Sequence, residues 1–91
     1  MSTGDDILIK DGVMRPIAPM NGSDYSLTEM QGYVEGYIET LRVGKKIMVV
    51  NEEGKVWNLP INKVATDIIV NDGYSDYICG PAMLIHPSHI K

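Results

Sequence analysis

The stretch that decides the fold is Val49-Val50-Asn51-Glu52-Glu53-Gly54-Lys55-Val56-Trp57-Asn58-Leu59-Pro60-Ile61-Asn62. An apolar, β-branched strand runs into the charged turn Glu52-Glu53-Gly54-Lys55, where Gly54 is the natural left-handed residue. Val56 and Trp57 read as a return strand, and Pro60 then ends the ladder because it has no amide to donate. Asn62 has the side chain of an N-cap. Upstream, Lys46 to Asn51 places Ile47, Met48, Val49 and Val50 on both faces, the pattern of an inner strand covered on each side. Downstream, Ile61, Val64, Ala65, Ile68 and Ile69 recur at i, i+3, i+4, i+7 and i+8, with Lys63, Thr66 and Asp67 on the other side. That spacing predicts an amphipathic helix, which Asn71-Asp72-Gly73 should stop.

The rest of the chain extends this frame. Ile7 to Lys10 and Val13 to Ile17 flank Asp11-Gly12, a strong hairpin signal because a type I′ turn needs positive φ at both central residues. Pro16 places the second strand at an edge. Ser26-Leu27-Thr28-Glu29 has the form of a capping box, and Leu27, Met30 and Val34 predict one buried stripe on a short helix that Gly36 should end. Tyr37 to Arg42 reads as a strand before a turn at Gly44, and Tyr77 to His86 as a last strand broken at Gly80-Pro81. Residues 1 to 5 are small and polar and expected to fray. The order is β-β-α-β-β-β-α-β in a single domain over residues 1–91. That predicts an α+β fold: a mainly antiparallel sheet of five to six strands with both helices packed on it.

Composition excludes several functions. The 91 residues are 44% hydrophobic and 22% charged, within the globular range. The net charge is −4 and the eight basic residues are dispersed, which disfavours nucleic acid as a partner. The longest apolar run, Ile47 to Val50, is too short to span a bilayer. The acidic start, Asp5-Asp6, is unlike a signal peptide, so cytoplasmic residence is the expectation.

The candidate site residues are Asn51, Lys55, Trp57 and Asn62, which could form one rim at an end of the sheet. A Trp offers a flat apolar face for stacking or for anchoring a partner, although the default for a lone Trp in a small domain is the core. For Asn62 the simpler role is capping, and the alternative is contact with a ligand at the positive end of the helix. Glu52 and Glu53 could serve a metal or acid–base chemistry, but adjacent strand residues point to opposite faces and a solvated turn is the simpler account. Cys79 reads as a small buried thiol. His86 and His89, with Cys79 upstream, fall short of a zinc set, since further convergent ligands would be needed. The residue pattern therefore assigns no catalytic residue, metal or cofactor.

Several of these pieces recur together elsewhere. Gln31-Gly32-Tyr33-Val34-Glu35-Gly36-Tyr37-Ile38-Glu39, then Asn51-Glu52-Glu53-Gly54-Lys55, Leu59-Pro60-Ile61-Asn62, Ala65 and Ile78-Cys79-Gly80 resemble, in order and spacing, a small family of unknown function encoded mainly by bacteriophages, prophages and conjugative plasmids. The resemblance implies a mobile-element accessory protein of the bacterial cytoplasm, with action against host defence as one route. It carries over no catalytic residue. The expected function is a non-catalytic binding protein that inhibits a host protein or sequesters a small ligand such as a nucleotide signal. The alternatives are a metal-dependent enzyme using Glu52 or Glu53, and a homo-oligomer formed through a sheet edge.

Overall fold

Asp11 and Gly12 take φ of 54° and 76° in the computed structural model, which describes residues 6–90. The turn joins β1 (Ile7–Lys10) to β2 (Val13–Pro16), with Lys10 opposite Val13. The expected fraying of residues 1 to 5 lies outside the described residues. The remaining elements are α1 (Leu27–Val34), β3 (Ile38–Val43), β4 (Lys46–Asn51), α2 (Lys63–Asn71) and β5 (Ala82–Ile85). A 3₁₀ turn at Pro87–His89 follows β5. The strands form one sheet in the order β2-β1-β5-β4-β3, antiparallel at every pairing, so the described residues make an α+β fold of five strands and two helices. Pro16 lies on an edge strand, where its missing donor costs no ladder bond.

The helices cover opposite faces of the sheet. Leu8, Val49, Met83 and Ile85 pack with Met30 and Val34 of α1 on one side, and Ile9, Met48, Val50 and Ala82 pack with Ala65 and Ile69 of α2 on the other. Neighbouring residues of β1, β4 and β5 alternate between the two clusters, as the two-residue period of a strand requires. Each large side chain so enclosed contributes about 1.5–3 kcal/mol. The apolar run of β4 therefore has the two-sided cover that its sequence demands. Among the described residues no helix is long and apolar enough to cross a membrane.

Several local expectations are corrected. Val56 and Trp57 do not form a return strand: residues 52–58 make a succession of turns, closed by Trp57 N–H to Glu53 O (3.0 Å) and Leu59 N–H to Gly54 O (3.0 Å). Between β4 and α2 the chain makes an isolated antiparallel bridge instead, Ile61 with Cys79. β5 takes the place beside β4 that such a return strand would need. Gly54 is not the left-handed residue; Asn58 is, with φ of 54°. Ile61 lies before α2 and is exposed, and Leu27 is exposed at the start of α1. Ser26 does accept from the Glu29 amide at 3.1 Å, but the Glu29 carboxylate accepts from the Met20 amide (3.0 Å) rather than closing the box. Glu35, not Gly36, takes the left-handed position that ends α1.

Candidate functional site

Lys10, Gly80 and Asn51 mark one end of the sheet, and all four residues expected at the site gather around that end, with unequal roles. Asn51 is buried at the last position of β4. Its Nδ2 donates to the Val34 and Glu35 carbonyls (3.1 and 3.3 Å), and its Oδ1 accepts from the Glu53 amide (2.8 Å). One side chain thus ties the end of α1 to the start of the 52–58 turn. A Cβ on Gly36 would stand 2.6 Å from Asn51 Nδ2, so the glycine there makes room for the asparagine. Asn62 is also buried. Its Oδ1 accepts from the Ala65 amide (3.0 Å) to cap α2, and its Nδ2 donates to the Ile9 and Gly80 carbonyls, both at 2.9 Å. It therefore joins α2 to β1 and to the Gly80-Pro81 break, and its side-chain hydrogen-bonding capacity is taken up by the fold.

The turn between these two asparagines rests on Cys79. A Cβ on Gly54 would lie 2.2 Å from the Cys79 carbonyl oxygen, so only glycine permits this approach. The Cys79 thiol is free and buried. Lys55 ion-pairs with Asp76 and lies over the Tyr77 ring, 4.3 Å from its centroid. The hydrogen bond to Asp76 holds the Lys55 ammonium above its ordinary value, and the same bond, helped by the Tyr77 amide, lowers Asp76. Trp57, far from the core position that is the default for a lone Trp, is 67% exposed, and its Nε1 donates to Glu53 Oε1 at 3.3 Å. Val56, Ile61, Tyr37 and Tyr77 are also exposed. Glu53 is thus engaged with the indole while Glu52 faces solvent, and among the described residues no three His, Cys, Asp or Glu side chains converge.

Below the turn, a cleft of about 430 Å³ is lined by Leu59, Pro60, Ile61 and Pro81, with Lys63 and the Lys10–Glu35 ion pair (3.0 Å) also on its wall. That volume falls within the range of small-molecule sites.

The opposite end of the sheet holds a cluster that the sequence reading missed. Asp6 is 0% exposed. Its Oδ1 accepts from the His86 amide (2.9 Å), and its Oδ2 accepts from the Tyr25 hydroxyl (2.9 Å) and lies 2.6 Å from His89 Nδ1. The Tyr25 hydroxyl is pushed above its ordinary value, by burial first and then by the bonded Asp6 carboxylate. Sequence separations of 19, 80 and 83 residues explain why no local pattern announced the cluster. Cys79 is not part of it, since β5 runs between Cys79 and the histidines.

Residues 6–89 match the model of the DUF3846 family, described as a domain of unknown function, and the chain belongs to that family. No curated protein and no solved structure matches the chain.

Proposed function

We propose that this DUF3846 domain is a non-catalytic binding module that docks a partner protein on the turn between β4 and α2, with Trp57 as the anchor. The observation that carries the reading is the 67% exposure of Trp57 on a turn whose backbone is fixed at Asn51, Gly54 and Leu59. An exposed indole gains free energy when a partner covers it, and Trp on a rigid support loses little entropy on binding. Lys55, held by Asp76 and Tyr77, is a fixed charge beside it rather than a swinging one. The resemblance to proteins of phages and plasmids supports a mobile-element setting in the bacterial cytoplasm, and within it a host protein as the partner.

The experiment is affinity capture from host lysate with the wild-type chain and with Trp57→Ser, followed by calorimetry with the captured protein. Loss of at least about 30-fold in affinity is the expected result, the size of an anchor residue's contribution. A partner that binds Trp57→Ser as well as the wild type would refute the assignment.

A second reading rests on the cleft lined by Leu59, Pro60, Ile61 and Pro81, whose apolar wall and flanking Lys63 suit a small amphipathic anion such as a nucleotide. Calorimetry against a nucleotide panel tests it, and Lys63→Glu should abolish any binding found there.

A further inference from the structure

His86 and His89 flank Pro87 and Ser88 on the 3₁₀ turn that follows β5. Residues three apart eclipse on such a turn, which sets the two imidazoles on one side. Their ring centroids are 5.6 Å apart. His89 turns its Nδ1 toward Asp6 Oδ2 at 2.6 Å, while His86 Nδ1 lies 2.7 Å from Ser88 Oγ and accepts from the Ser88 amide at 3.2 Å. A proton on Nδ1, given to an oxygen acceptor, leaves the lone pair on Nε2. His86 is exposed, and the His89 side chain is 23% exposed.

For His89 this is the arrangement that orients an imidazole for a metal, and His86 reaches it by turning its Nδ1 proton to Ser88 Oγ. Ligating histidines characteristically give the other ring N–H to a carboxylate or another oxygen, which fixes tautomer and ring direction. Nitrogen ligands stand about 2.0–2.1 Å from the ion, so two rings sharing one metal at tetrahedral to trigonal angles have centroids about 5–6 Å apart. Asp6 is held in place independently of His89, by the Tyr25 hydroxyl and the His86 amide. It therefore supplies a fixed buried carboxylate behind one ligand.

We propose that His86 and His89 form a two-imidazole site for a divalent transition metal of the Zn²⁺, Ni²⁺ and Cu²⁺ class, through their Nε2 atoms. Asp6 orients His89, Ser88 Oγ orients His86, and water completes the coordination shell. When metal binds, His86 keeps its proton on Nδ1 and donates to Ser88 Oγ, and the Ser88 amide releases its 3.2 Å bond to that nitrogen. Imidazole ligands suit these ions over Mg²⁺ and Ca²⁺. Two protein ligands leave coordination positions open, so the affinity should be highest for Cu²⁺ and lower for Ni²⁺ and Zn²⁺.

The test is calorimetric titration of ZnCl₂, NiCl₂, CuCl₂ and MgCl₂, each alone, into the tag-free full chain and into His86→Asn, His89→Ala, Asp6→Asn and Cys79→Ser. The expected result is saturable one-to-one binding of the transition ions and none of Mg²⁺. Affinity should fall at least tenfold in either histidine variant, by about 10- to 100-fold in Asp6→Asn, and not at all in Cys79→Ser. His86→Asn guards against a folding artefact, because His86 is exposed and Asn can still cap the 3₁₀ turn. Imidazole nitrogen resonances should show coordination at Nε2 of both rings. Absence of binding by all three transition ions, binding unchanged in His86→Asn, or coordination through Nδ1 would each overturn the site.

Discussion

Two ends of one sheet use polar residues in different ways. At the Asp6 end, a fully buried carboxylate gathers Tyr25, the His86 amide and His89, closing the N-terminal strand against the C-terminal turn. At the other end, Asn51 and Asn62 are buried as neutral clamps, and the turn between them pushes Val56 and Trp57 into solvent. Burying a charge is costly unless every lone pair is met, so the Asp6 end is committed to one arrangement. The clamps carry no such charge, and they hold a surface that adds little to the fold. Rigid support beneath exposed apolar side chains is what a docking surface needs, whereas the Asp6 end is where loss of a single atom should unfold the most.

Substitutions can break that contrast. Asp6→Ala should cost about 2–4 kcal/mol in denaturant unfolding, because it leaves the buried Tyr25 hydroxyl and the partly buried His86 amide without their acceptor. A loss below ~1 kcal/mol would mean that the two ends are built alike. Asn62→Ala should cost about 2–3 kcal/mol, combining a lost helix cap with loss of the side-chain donor to the Ile9 and Gly80 carbonyls. A cap alone would account for only ~1 kcal/mol. Trp57→Ser should change stability by less than about 0.5 kcal/mol, as expected for a surface position, while removing partner binding. A large loss of stability there would return the indole to the core.

The smallest effect concerns Lys55 and Asp76. Asp76 is lowered from 3.8 by its bond to Lys55, and Lys55 is raised from 10.5 by the same bond. A carboxylate lowered in the folded state stabilises above its unfolded value, and that contribution is lost as pH falls through the lowered folded value. A raised ammonium stabilises below 10.5 and loses its contribution as pH rises past its folded value. The pair should therefore hold the turn unchanged across neutral pH and release it only in strong acid or strong base. In an NMR titration, Lys55→Met should move the Asp76 midpoint upward, and an unmoved midpoint would show that the pair does not persist in solution.

Much of the fold was legible because its signals are local. Asp11-Gly12, Ser26 and Asn62 act on backbone groups within three residues of themselves, and the 3.6-residue period of Val64, Ala65, Ile68 and Ile69 needs no distant partner. The site was legible only in part. Asn51, Lys55, Trp57 and Asn62 read as one region, and the turn that carries Lys55 and Trp57 runs between the two buried asparagines. The sequence could not say which would be consumed by the fold, because that depends on carbonyls of Val34, Ile9 and Gly80 brought from elsewhere in the chain. Gly36 and Gly54 read as turn residues, yet each is glycine because another segment passes too close for a Cβ.

The sequence by itself determined the first hairpin, both helix starts and the α+β class, since these follow from propensity, period and capping over a few residues. Only the tertiary structure decided that the helices lie on opposite faces and that β5 rather than 56–57 pairs with β4. It also decided that Trp57 is outside, and that Asp6 meets a histidine 83 positions away. Those outcomes depend on which segments compete for the same neighbour. Local preference sets no energy for that competition, and packing does.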